Sequence, residues 1–151
     1  MKPIHLQIGN ANARTQILGA AALLLGSALL LPVTGICAEN IVHAAGTVTY
    51  VSGGVDDASL DALKANLQKY DLKLVFALKS GAFMSEVKVS ISDAKGNAVL
   101  NTTSDGPWFL AQLPAGSYKI VATSSSGDSI TQQAAVDPSK LKTLDFRWSS
   151  E

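Results

Sequence analysis

From Asp71 onward, apolar and polar residues alternate with a period of two. Leu72, Leu74, Phe76 and Leu78 share one face of a first segment, and Val87, Val89 and Ile91 alternate with Glu86, Lys88 and Ser90 in the next. Tyr118, Ile120 and Ala122 alternate with Lys119 and Thr123, and Leu144, Phe146 and Trp148 alternate with Asp145 and Arg147. Successive side chains of a strand point to opposite faces, so each segment predicts a half-buried strand with one wet face.

The punctuation agrees. Turn-forming residues stand at Asp93–Asn97, Ser104–Pro107, Pro114–Gly116, Ser126–Asp128 and Asp137–Ser139, and from Gly96 to Pro138 they recur every 10 or 11 residues. Glycine supplies positive φ, proline fixes φ and aspartate braces its own turn. That rhythm predicts a sandwich or barrel, with about seven strands from Leu72 to Trp148.

Before Asp71 the period changes. Val55, Leu60, Leu63, Leu67 and Tyr70 lie near helical spacing, with Asp57, Asp61, Lys64 and Lys69 between them. This predicts a helix over Ala58–Lys69, capped by Asp56 or Asp57. It is too short to be stable alone, so its leucine stripe must dock on the sheet. Thr47–Val51 reads as an edge strand ahead of Gly53-Gly54.

The N-terminus carries a different pattern. Lys2 and Arg14 make a basic leader, and Ile17–Leu31 follow as 15 residues without a charge. Pro32 then breaks the run, and small or neutral residues lead to Ala38. Basic leader, apolar stretch and small-residue end predict a helical signal peptide over residues 1–38, cleaved after Ala38 or a few residues later, near Ala44 or Ala45. A permanent anchor is the weaker alternative, since a span needs about 20 apolar residues. Lipidation at Cys37 is a minority reading, because Ile36 is bulky where a lipoprotein site wants a small residue. If Cys37 leaves with the signal, the remaining chain has no cysteine and gains no disulfide.

Charge and composition narrow the function classes. The chain as a whole is neutral, but residues 1–38 hold two basic side chains and no acid, leaving ten basic and twelve acidic groups in the remainder. A mildly acidic domain without a basic run gives no electrostatic reason to bind nucleic acid or an anionic membrane. Hydrophobic residues at 47% supply a packed core.

The stretch from Glu86 to Val136 carries a more specific pattern: Val-x-Val-x-Ile-x-Asp, a glycine turn, Thr-x-x-Asp-Gly-x-Trp, then Leu-Pro-x-Gly-x-Tyr-x-Ile. It resembles the carboxypeptidase regulatory-like domain, a transthyretin-like (prealbumin-like) β-sandwich, in the form borne by small exported bacterial proteins. Asp105, Gly106, Pro107, Trp108, Leu113, Pro114, Gly116 and Tyr118 occupy the motif positions. About half of the chain after residue 38 matches, and the helix lies outside the common pattern. The resemblance implies that these residues are structural: Asp105-Gly106 makes the tight turn, Pro107 tolerates an edge, and Trp108 and Tyr118 enter the core. It also implies that Trp108→Ala unfolds or severely loosens the domain, since deleting a buried aromatic costs about 3–5 kcal/mol. Metallocarboxypeptidase activity belongs to a separate catalytic domain, which does not stand in these residues. The related hydroxyisourate hydrolases rely on histidines and a C-terminal tetrapeptide, neither of which is present.

The residues offer little chemistry of their own. His5 lies in the leader and His43 stands alone, so neither a zinc site of the usual kind nor a defined serine–histidine pair can be built, although Ser124-Ser125-Ser126 offers hydroxyls. Asp56, Asp57 and Asp61 are explained by capping, and Asp93, Asp105, Asp128 and Asp137 by their turns. A weak calcium site requires two loops to converge, without support from any EF-hand-like spacing. Lys64, Lys69, Lys73 and Lys79 read as a solvated face that discourages edge pairing.

These readings combine into an all-β expectation: a transthyretin-like seven-stranded sandwich over 71–148, preceded by a lead-in and one short helix over 39–70 and followed by a tail at 149–151. No catalytic, metal or cofactor residue is expected. The protein is expected to be periplasmic or secreted, meeting the membrane only transiently through its signal, and to bind or help assemble an envelope protein. A small-ligand or glycan module is the alternative, and an enzyme of unrecognised type ranks third.

Overall fold

The computed structural model describes residues 40–150, so the expected signal peptide lies outside the described residues. Two sheets face each other. The first has the order β1-β2-β6-β3-β9 and the second β5-β4-β7-β8. The strands are β1 (His43–Ala45), β2 (Val48–Gly53), β3 (Leu72–Leu78), β4 (Val87–Asp93), β5 (Ala98–Ser104), β6 (Trp108–Gln112), β7 (Gly116–Thr123), β8 (Ser129–Val136) and β9 (Lys142–Trp148). All pairings are antiparallel except β3 with β9.

Nine strands among the described residues replace the expected seven, because β1 and β2 join the first sheet ahead of the seven that run from Leu72 to Trp148. The expected edge strand at Thr47–Val51 is corrected with them. β2 lies between β1 and β6, and the short β1 takes the edge. A three-residue edge presents few unpaired backbone groups, one of the ways in which sheets avoid edge-to-edge association.

The core between the sheets is built from the alternating positions. Leu72, Leu74 and Phe76 of β3 meet Leu144, Phe146 and Trp148 of β9, with Val87, Val89, Ile91, Tyr118, Ile120 and Ala122 opposite. Phe76, Phe146 and Trp148 form one aromatic cluster, with ring centroids 5.8–6.3 Å apart. β3 departs from the half-buried expectation. It is an interior strand, and Val75 and Ala77 on its other face are also buried.

Side chains tie the two sheets together along both flanks. Tyr50 and Thr102 share a hydrogen bond of 3.0 Å between their hydroxyls, and Ser52 Oγ donates to Asp105 Oδ2 at 3.0 Å. On the opposite flank, Gln132 Nε2 donates to the Asp145 carbonyl at 2.7 Å and Trp148 Nε1 to the Asp128 carbonyl at 2.9 Å. β8 is an edge strand of the second sheet, but its flank toward β9 is bridged.

The helix α1 (Asp57–Ala65) is capped by Asp56, whose side chain accepts from Ser59 N at 2.8 Å. It ends earlier than the expected Lys69. Asn66 Nδ2 donates to the Ala62 carbonyl at 2.8 Å, the acceptor that the backbone N–H of Asn66 would use in a continuing helix. That N–H turns to Leu63 O instead, and a 3₁₀ turn over Leu67–Lys69 completes the segment. Such local side-chain competition is why asparagine disfavours helix interiors. Leu63 then packs with Val51, Leu110 and Tyr70 in a second, smaller core on the outer face of the first sheet.

Candidate functional site

The outer face of the first sheet is set by the strand registers. Phe109 and Ala111 point into the core, which sends Trp108, Leu110 and Gln112 outward. β6 pairs Leu110 with Val51 and Lys73, and Trp108 with Gly53 and Val75, so these residues share the outer face. Helix α1 and the 3₁₀ turn cover the part over Val51 and Leu110, while Trp108 stays half-buried beside them.

This placement corrects the core role expected for Trp108. Trp148 and Phe109 fill the sandwich interior, and Trp108 packs only against the smaller cluster under α1. Residues 108–111 are Trp-Phe-Leu-Ala, apolar at four successive positions, so alternation alone does not decide which pair faces inward.

Lys73 lies over the indole with its ammonium 3.2 Å from the ring centroid. It is half-buried rather than fully solvated as expected of that lysine face, and it sits on an interior strand, where edge protection has no role. Desolvation holds its pKa below the usual lysine range; Asp145 acts in the opposite sense and Lys64 adds to the lowering. On the neighbouring β9, Arg147 and Asp145 stand 3.8 Å apart, both largely exposed.

Two exposed apolar side chains frame this area. Phe83, 64% exposed, pairs with Ala77 in an isolated bridge, and bridged residues project to the same face. Val55, 72% exposed, follows Gly54, where an added Cβ would reach ordinary contact with Trp108 and Leu60. The helical spacing had placed Val55 in the buried stripe, but it lies ahead of the N-cap and escapes the docked face. Sequence reasoning gave no signal for Phe83.

The other residues of the motif each have a defined place in the fold. Gly106 is held by a close backbone approach rather than by positive φ, since an added Cβ would lie 2.3 Å from Gly53 O. Pro107 is not at an edge as expected: it is buried, and its carbonyl accepts from Phe76 N of the interior strand β3 at 2.9 Å. Asp105 receives Ser52, Leu113 is buried, and Tyr118 donates its hydroxyl to the Pro114 carbonyl at 2.8 Å. Gly116 opens β7.

At the far end of β6 from Trp108, a cleft of about 400 Å³ opens between α1 and β2. Val51 and Leu63 line it, with Tyr70, Asn66, Lys69 and Gln112 around them.

Among the described residues no three His, Cys, Asp or Glu side chains gather as a metal site. The turn aspartates serve their own loops. Asp93 accepts from Lys95 N, Asn97 N and Asn97 Nδ2, and Asp137 accepts from Ser139 N and Oγ. Ser124 and Ser126 bond each other at 2.8 Å, and His43 stacks on Tyr50. No described helix is long and apolar enough to cross a membrane. No protein-family model matches the chain, and no curated protein matches it significantly.

Proposed function

We propose that the chain is an exported, non-catalytic β-sandwich module that binds or helps assemble a protein of the cell envelope, and that it does so with the outer face of its first sheet around Trp108. One observation carries the reading: a half-buried tryptophan, a 64% exposed phenylalanine and a 72% exposed valine stand on or beside one sheet face. Aromatic anchors inside a polar surround are the usual core of a protein interface. The Asp145–Arg147 pair supplies such a surround. Export rests on the basic and apolar pattern of residues 1–38, and the module's kinship rests on the resemblance to the carboxypeptidase regulatory-like domain.

A photo-crosslinking residue at position 83, with a second at Lys119 on the other sheet as control, tests this in cells that produce the protein. The expected result is one saturable protein adduct from position 83 and none from 119. Equal labelling at both positions, or none at either, refutes the docking face.

The half-exposed indole favours a second reading, in which Trp108 is a platform for a sugar ring. Here glycan addition perturbs Trp108 emission in a Trp148→Phe variant, and position 83 yields no protein adduct.

A further inference from the structure

We propose that the cleft between α1 and β2 binds the carboxy-terminus of a short peptide. The cleft does not depend on the reading of the Trp108 face. Trp108 and Gln112 lie at opposite ends of β6, roughly 13 Å apart at strand rise.

Size and lining come first. A volume of about 400 Å³ falls within the range of roughly 300–1,000 Å³ typical of small-ligand sites, and Val51 and Leu63 give the cleft an apolar floor. Hydrogen-bonding capacity is the discriminating feature. Gln112 Oε1 accepts from Thr49 at 3.0 Å, which leaves the Nε2 donors without a partner among the described residues. Asn66 spends Nδ2 on Ala62 O at 2.8 Å, which leaves Oδ1 as an acceptor. One donor and one acceptor are the complement of a single peptide unit, whose C=O accepts and whose N–H donates.

Charge fixes which peptide unit. Among the described residues, Lys69 is the one charged residue that lines the cleft. A terminal carboxylate satisfies a lone cation where an internal peptide group does not. Tyr70 also lines the cleft, and burial raises its phenol above the usual pKa. A hollow of about 630 Å³ on the second sheet is larger, but two of its polar groups are already engaged. Asp93 is consumed by its turn and the Tyr118 hydroxyl by Pro114.

The test is an NMR titration of the isotope-labelled full chain with N-acetyl-alanyl-alanine, its C-terminal amide and N-acetylglucosamine. The free acid should saturate at millimolar concentration and shift the side-chain amides of Gln112 and Asn66. Removing the ligand's charge, or Lys69→Met in the protein, should each weaken binding by about tenfold, equal to about 1.4 kcal/mol. Lys69 is exposed, so the variant keeps its fold. No saturable shift, an affinity indifferent to both changes, or capture of N-acetylglucosamine in place of the dipeptide each overturns the proposal. Labelling at position 83 is measured separately, so the Trp108 face and the cleft can fail independently.

Discussion

The ammonium of Lys73 stands 3.2 Å from the ring centroid of Trp108. The two meet because β3 and β6 pair Lys73 with Leu110 and Val75 with Trp108, which makes lysine and tryptophan diagonal neighbours on one face. A cation over an indole gains about 0.5–2 kcal/mol according to its exposure. The contact orders a lysine stem across apolar surface at the margin of the helix-covered patch. It gives the outer face a fixed aromatic and cationic feature, where the alternating pattern alone predicted a solvated lysine.

Trp108 and Trp148 should respond differently to truncation. Trp148 is 4% exposed and lies in the aromatic cluster with Phe76 and Phe146. Its replacement by alanine should cost about 3–5 kcal/mol. Trp108→Ala removes a half-buried ring and one cation contact, for about 1–2 kcal/mol. Urea unfolding of the two variants decides the matter. A Trp108→Ala loss equal to that of Trp148→Ala would place Trp108 in the core after all.

The two motif glycines make a second contrast. A Cβ at Gly106 meets Gly53 backbone atoms at 2.3–2.8 Å, and backbone on an interior strand has no cheap way to give. Gly106→Ala should cost about 1–3 kcal/mol or more, the range for overpacking. A Cβ at Gly116 meets only the Tyr118 ring, at 3.6 Å or beyond, and Gly116 is not at positive φ. Gly116→Ala should therefore be neutral or stabilising by up to about 1 kcal/mol, through a less flexible unfolded chain. Thermal melts in which both variants fall alike would contradict the close approach at Gly106.

Tyr118 combines a hydrogen bond with a shifted titration. Tyr118→Phe loses the 2.8 Å bond to the Pro114 carbonyl, at about 0.5–1.5 kcal/mol. Burial, and secondarily the charge of Asp93, raise the phenol above its ordinary 10.0. The folded state thus binds the proton more tightly than the unfolded one. Its contribution is fully present below pH 10.0 and is lost as pH rises through the raised value. Denaturant midpoints in mildly alkaline buffer and above pH 10.0 should fall less for Tyr118→Phe than for the parent chain. A parallel fall would remove Tyr118 from the alkaline limb.

What could be read in advance follows from how many physical constraints each residue obeys. Leu72, Leu74 and Phe76, or Val87, Val89 and Ile91, alternate with polar partners, and their inward phase is unambiguous. In β6 every position from 108 to 111 is apolar because a second small core lies on the other side, so the phase needed the register with Gly53 and Val75. Helix α1 was legible from its stripe and its Asp56 cap, but not its early end, which depends on where one asparagine amide reaches. The cleft draws on α1, β2 and β6, segments far apart in sequence, and no local pattern announces such a convergence.

The acid limb of stability should belong in part to two turns. Asp93 and Asp137 are both held below the ordinary 3.8, Asp93 chiefly by its hydrogen bonds from Asn97 and Asp137 by those from Ser139. A lowered folded pKa means that the unfolded state binds protons first as pH falls. The stabilisation is therefore complete above pH 3.8 and disappears as pH drops through the folded values. Asparagine at either position cannot titrate, yet its carbonyl can still accept from the turn amides. An Asp93→Asn, Asp137→Asn double variant should be somewhat less stable at neutral pH and should lose less on acidification to about pH 3. Urea midpoints measured across that range read the difference in slope. If the double variant loses as much as the parent chain, the acid sensitivity lies in other carboxylates, and these two turns contribute geometry without proton linkage.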